Sequence, residues 1–147
     1  MTVRIAGTPA GGGLPAVDLD RLAARAGALL AALGEAESEL SVRLADDAEI
    51  AALNGRWRGR EGPTDVLAFS LLEGDHDAHR GGLLGDVVIG LAVAERQARE
   101  LGHGLPEELD RLLIHGLLHL LGHDHREPGE ASRMRAEEER LRGVLGP

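Results

Sequence analysis

The chain has no cysteine, no lysine and no tyrosine, and only one tryptophan and one phenylalanine in 147 residues. Without cysteine there is neither a disulfide framework nor a thiolate ligand, so any metal ion must be held by His, Asp or Glu. With Trp57 and Phe69 alone, a broad base-stacking platform is excluded. No apolar run approaches the roughly 18–20 residues that cross a bilayer. The opening Met1-Thr2-Val3-Arg4-Ile5 lacks the long apolar stretch of a secretory signal. A cytoplasmic protein with no membrane role is the expectation. Positive charge is also scarce: 16 basic residues, all arginine, face 25 acidic ones, for a net charge of −9. That balance disfavours non-specific nucleic-acid binding, which relies on neutralising phosphates. The missing lysine itself carries no functional weight.

What is present reads as one domain over residues 1–147, long enough to bury about two-thirds of its unfolded surface. Val3 to Ile5 is a short strand, followed by Gly11-Gly12-Gly13. Asp18 or Asp20 caps a helix that runs to about Leu33 and ends at Gly34. Leu40 to Leu44 alternates as a strand, and Asp46 or Asp47 caps a helix through Leu53. Val66 to Leu72 is β-prone, Asp75 to Gly82 a loop, Leu83 to Ile89 a strand, and Leu91 to Leu101 a helix closed by Gly102. Pro106 suits the first turn of the next helix, with Glu107, Glu108 and Asp110 near its positive end. Between Leu109 and Leu121 that helix is apolar nearly all round, which makes it the central buried one. Pro128 and Gly129 open a charged helix to about Arg142. The mixture predicts an α+β fold, a small mixed β-sheet packed with helices.

The central helix also carries the chemistry. His115 and His119 are four residues apart, so they share one face and both rings can reach one metal ion. Gly122 permits the left-handed turn that ends a helix and can bring His125 round as a third ligand. Three neutral nitrogens with a fourth position left for water are the arrangement of a catalytic zinc site. The spacing His-x3-His-x2-Gly-x2-His is that of the metzincin proteases, placing a metzincin-like three-His metal site on the central helix and the turn after it. Those enzymes have a glutamate base right after the first histidine; here Gly116 stands there, so peptide hydrolysis by that route is disfavoured. A lone apolar-face histidine is usually a core residue, but burying several imidazoles without partners is costly. His123 competes as third ligand, and the spacing favours His125.

Other polar residues allow two readings. Asp124 is either an orienting or proton-accepting group or a solvated turn residue. His103 reads as a surface or capping residue, and His76 and His79 as solvated loop residues. Asp65 and Asp86 are open to both structural and functional roles. Arg56, Arg58 and Arg60 lie within five residues, and the guanidinium fork suits phosphate. On local grounds the cluster reads as solvated surface and Trp57 as a packing residue.

Taken together, His115, Gly116, Leu118, His119, Leu120, Gly122, His123, Asp124 and His125 match the pattern H-G-x-L-H-L-x-G-[Y/H]-D-H. A second block is Leu53-Asn54, Arg58, Pro63-Thr64-Asp65-Val66-Leu67 and Phe69. A third is Leu84-Gly85-Asp86-Val87-Val88-Ile89 with Gln97-Ala98, and Met134 and Glu138 fit the closing helix. On these residues, from about 40 to 140, the chain resembles the YbeY family of bacterial endoribonucleases and ribosomal RNA maturation factors. Ala68 stands where the family has serine, and His123 where most members have tyrosine, which favours His125 as the ligand. The resemblance implies one zinc ion on His115, His119 and His125, and a functional arginine near the metal at Arg58. It also implies a role at the 3′ end of small-subunit ribosomal RNA and in ribosome quality control, with single-stranded RNA, the ribosome and ribosome-associated proteins as partners. Three histidines suit zinc but also nickel or copper.

The mechanism these residues imply is metal-assisted phosphodiester hydrolysis, with Arg58 stabilising charge on the phosphate. Water and the RNA 2′-hydroxyl both remain open as the attacking group. Two other classes compete: a metallopeptidase with Asp124 or another carboxylate as base, and a ribosome-associated binding module whose zinc is structural.

Overall fold

The computed structural model describes residues 2–6, 14–70, 82–123 and 127–146. Their order is β1 (Thr2–Ala6), α1 (Leu19–Ala32), β2 (Glu39–Ala45), α2 (Asp47–Arg58), β3 (Val66–Ser70), β4 (Leu83–Gly90), α3 (Leu91–Leu101), α4 (Leu105–Leu120) and α5 (Pro128–Leu145). Four strands form one sheet in the order β1-β2-β4-β3. β1, β2 and β4 run parallel, and β3 pairs antiparallel with β4. This is the expected α+β fold with a small mixed sheet. Gly11–Gly13, the end of the Val66–Leu72 stretch, and all of the expected Asp75–Gly82 loop but Gly82, with His76 and His79, lie outside the described residues.

Period-two alternation decides what each face of the sheet carries. Leu40, Val42 and Leu44 of β2 point into the main core with Leu84, Val87 and Ile89 of β4, under α1 and α4. The opposite face is thinner: Ala45, Leu67 and Val88 pack with Ile50 of α2, flanked by Leu53 and Phe69. β4 breaks strict alternation. Glu39 pairs with Leu83 but Ser41 with Asp86, so β4 carries one extra residue, a β-bulge. Gly85 sits in it at φ 151°, and a Cβ there would lie 2.2 Å from the Phe69 carbonyl oxygen. Only glycine fits so close an approach.

Asp18 caps α1 by accepting from the Arg21 backbone N–H at 3.0 Å, and Asp46 caps α2 by accepting from Glu49 N–H at 2.8 Å. α2 continues to Arg58, five residues beyond the expected end at Leu53. Asn54 and Gly55 look like breakers, but Asn54 is buried and its Nδ2 donates to the Gly62 carbonyl at 3.0 Å. Gly59, left-handed at φ 64°, supplies the actual stop. α5 likewise runs past Arg142 to Leu145, held down by buried Met134 and Leu141. Asp110 of α4 clamps α1 through both Arg21 nitrogens, at 3.1 and 2.9 Å. Among the described residues, no helix is long and apolar enough to cross a membrane.

Candidate metal and phosphate site

α4 is the central helix, wedged between the sheet and α1, α3 and α5. Leu109, Leu112, Leu113, Leu117 and Leu118 are buried around it, and its remaining stripe carries His115 and His119. Their Nε2 atoms lie 3.1 Å apart, with ring planes at 68°. Two imidazole lone pairs at that distance repel unless a proton or a cation lies between them. At Zn–N bonds of 2.0–2.1 Å and a tetrahedral angle, two ligating nitrogens sit roughly 3.3 Å apart. The pair therefore fits a shared zinc ion.

The end of α4 is a Schellman turn: Gly122 N–H donates to the His119 carbonyl and His123 N–H to the Leu118 carbonyl, both at 3.0 Å. Gly122 takes φ 94°, the left-handed turn expected of it. Asp124 and His125 lie outside the described residues. Among the described residues, no three His, Cys, Asp or Glu side chains are grouped so as to hold a metal ion. His123, although it lines the same cleft, does not complete such a group.

Gly116 has a packing reason. A Cβ there would meet Val87 Cγ1 at 2.7 Å and Cγ2 at 3.1 Å, so α4 lies against the sheet at the position where metzincins carry their base. A side chain on residue 116 would run into the Val87 methyls of β4. Gly116→Ala is expected to destabilise the fold by about 1–3 kcal/mol, the usual cost of overpacking, read as a lower urea midpoint at unchanged m.

Facing the histidines across a cleft of about 690 Å³ are Asn54, Arg58, Thr64, Asp65 and Ser70. The extension of α2 puts Arg58 on its last turn, exposed and in no ion pair with a described residue. Arg60 lines the same wall. Asp65 is a backbone organiser: its Oδ1 accepts from Val66 N–H at 2.8 Å, and its carbonyl accepts from Gly90 N–H at 2.8 Å. Asp86, in register with Ser41 and Phe69, lies in a different cleft on the α2 face of the sheet. Trp57, expected to pack, is 60% exposed. It follows Arg56 near the end of a solvent-facing helix, where no apolar layer remains to cover it.

One buried cluster escaped the sequence reading. Glu108 is wholly buried, paired with Arg111, and accepts at 2.7 Å from His103 Nε2. Arg111 also donates to Gln97 Oε1 at 3.2 Å. Burial raises the Glu108 carboxyl, but hydrogen bonds from Arg111 and His103 outweigh it and hold it below its ordinary value of 4.5. Glu108 is thus no solvated helix-dipole partner. His103 caps α3 with its backbone N–H, but its ring is drawn inward by a carboxylate that needs donors. The i,i+3 spacing of Glu108 and Arg111 was the available signal.

Comparison with known proteins shows the family of the chain. A family profile described as Endoribonuclease YbeY matches residues 17–146. Endoribonuclease YbeY of Anaeromyxobacter sp. (strain Fw109-5) is 51% identical over 129 residues, covering 86% of this chain and 66% of its own. That of Aquifex aeolicus (strain VF5) is 51% identical over 104 residues, covering 71% and 67%. The chain therefore spans about two-thirds of the length of these curated relatives. The solution structure of TM1509 from Thermotoga maritima superposes with a TM-score of 0.62 at 28% identity, covering 97% of this chain and 88% of that one. By profile, sequence identity and fold alike, the chain belongs to the endoribonuclease YbeY family.

Proposed function

We propose that this chain is a zinc-dependent, single-strand-specific endoribonuclease acting in 3′-end maturation of small-subunit ribosomal RNA and in ribosome quality control, in the cytoplasm. The observation that carries the reading is the pair of His115 and His119 Nε2 atoms 3.1 Å apart, facing an exposed Arg58 across one cleft, in a chain of this family. His115, His119 and His125 would hold the ion. When bound, zinc supplies Lewis acidity toward a phosphoryl oxygen and acidifies water.

The protein's own groups do the positioning. Arg58 binds the phosphate and offsets the charge that builds on its oxygens, while Arg60 holds a neighbouring phosphate on the same wall. Asn54, by donating to the Gly62 carbonyl, ties down the loop that follows Arg58 and carries Arg60. The cleft is of nucleotide size, which suits a single strand. The ribosome and ribosome-associated proteins are the proposed partners.

Metal-loaded protein incubated with single-stranded RNA, duplex RNA and casein is expected to cut the single strand alone; cleavage of casein without RNA would transfer the site to peptide chemistry. Arg58→Ala is expected to lower kcat by roughly 10²–10³, the loss seen for one preorganised charge-stabilising donor, at unchanged zinc content by elemental analysis. Normal turnover would take Arg58 out of the mechanism. A 2′,3′-cyclic phosphate end on the product would exclude direct attack by water.

A further inference from the structure

A second cleft, of about 750 Å³, lies on the α2 face of the sheet, walled by Arg43, Glu49, Trp57, Phe69 and Asp86. Arg58 lines it as well as the histidine cleft, so the two meet at one guanidinium. At its mouth stands Trp57, 60% exposed, with the Phe69 ring edge-on at 6.2 Å and the Arg56 guanidinium 5.2 Å from its centroid. An indole left this open, with the Arg56 guanidinium over the ring and the Phe69 ring edge-on to it, keeps exposed aromatic surface for a flat ligand.

The wall chemistry narrows that ligand. Glu49 accepts from Arg43 Nε at 2.7 Å, which offsets that cation, and Asp86 adds a second carboxylate. The interior therefore repels phosphate and offers acceptors to exocyclic amino groups, as carboxylates do for cytosine. Among the described lining residues, the cation in no ion pair is Arg58, at the shared rim. We infer that this cleft is a nucleobase subsite: the nucleotide next to the phosphate held at Arg58 turns its base in and stacks it on Trp57. The inference rests on the endoribonuclease reading and extends it to how the strand is held. One base on one indole needs no broad aromatic platform.

Trp57 is the chain's only tryptophan, so its fluorescence reports this cleft alone. A short single-stranded oligodeoxynucleotide is expected to quench it, and the same oligonucleotide made abasic throughout is expected not to. On an oligoribonucleotide substrate, Trp57→Ala should raise KM roughly tenfold, within the range for loss of one base–aromatic stack, with kcat within about twofold. Trp57→Phe should restore most of the affinity. Unaltered KM in Trp57→Ala together with no quenching, while wild-type protein still cuts RNA, would overturn the subsite and leave the enzyme reading standing; a protein ligand on this cleft would give that result. Failure of the metal-loaded wild type to cut any RNA would remove both. A thermal midpoint for Trp57→Ala close to wild type shows that a KM change is not misfolding.

Discussion

Replacing His119 with alanine is expected to abolish RNA cleavage, by roughly 10³-fold or more, and to take bound zinc from one equivalent to near zero. The size follows from what the ion contributes, several kcal/mol of charge stabilisation at 1.36 kcal/mol per tenfold in rate. On the proposed reading His119 and His115, with Nε2 atoms 3.1 Å apart, hold one ion together, so the double variant should be scarcely worse than either single one. Both rings lie on the cleft side of α4, away from the leucines that pack it, and far-UV circular dichroism should stay native. Zinc retained at full stoichiometry by the His119→Ala protein would refute the ligand assignment. Zinc lost with cleavage intact would take the metal out of the reaction and leave a metal-independent ribonuclease.

The largest stability loss is expected from Arg111→Ala. Glu108 is wholly buried and depends on Arg111 for its main hydrogen bonds. Removing one partner of such a pair leaves a buried charge uncompensated, at about 3–5 kcal/mol. Glu108→Gln should cost less, since Arg111 keeps part of its side chain in water. The double variant Arg111→Ala/Glu108→Gln should then be more stable than Arg111→Ala alone, a coupling that urea denaturation can measure. The pH dependence has a fixed sign. A carboxyl held below its ordinary 4.5 contributes stability that is fully present above that value. The contribution is lost as the pH falls through the depressed one. Wild type should therefore lose stability below pH 4.5 more steeply than the Glu108→Gln protein. Parallel acid-unfolding curves would show that Glu108 is not held down by its partners.

Which of these features the sequence disclosed depended on whether their cause was local. The i,i+4 histidines, the Gly122 turn and the leucine-rich body of α4 follow from helical periodicity and one glycine, and they were readable outright. The end of α2 was not: Asn54-Gly55 has the local chemistry of a helix stop, and only the burial of Asn54 against the Gly62 carbonyl carries the helix on to Arg58. Glu108 looked like an ordinary acidic first-turn residue because nothing in sequence says that His103, just past α3, turns its ring onto it and that Gln97 of α3 holds its partner Arg111. Trp57 read as core because tryptophan usually is, and its exposure follows from where α2 runs out of sheet to cover. The fit of zinc to the histidine pair was visible only as a spacing until the 3.1 Å separation gave it a dimension.

The extra residue at Gly85 has a consequence for how this chain can change. It resets the phase of β4, so that positions 84, 87 and 89 face inward where an unbroken strand would turn 84, 86 and 88 the same way. Straightening the bulge without shortening the strand would swing Val87 out from under Gly116 and aim the Asp86 carboxylate at the leucines beneath α4. No point substitution elsewhere restores such a frame; only a matched change in strand length does. The two clefts are in this sense geared to each other through a single backbone step, and β4 tolerates exchange of side chains far more readily than any change in their number.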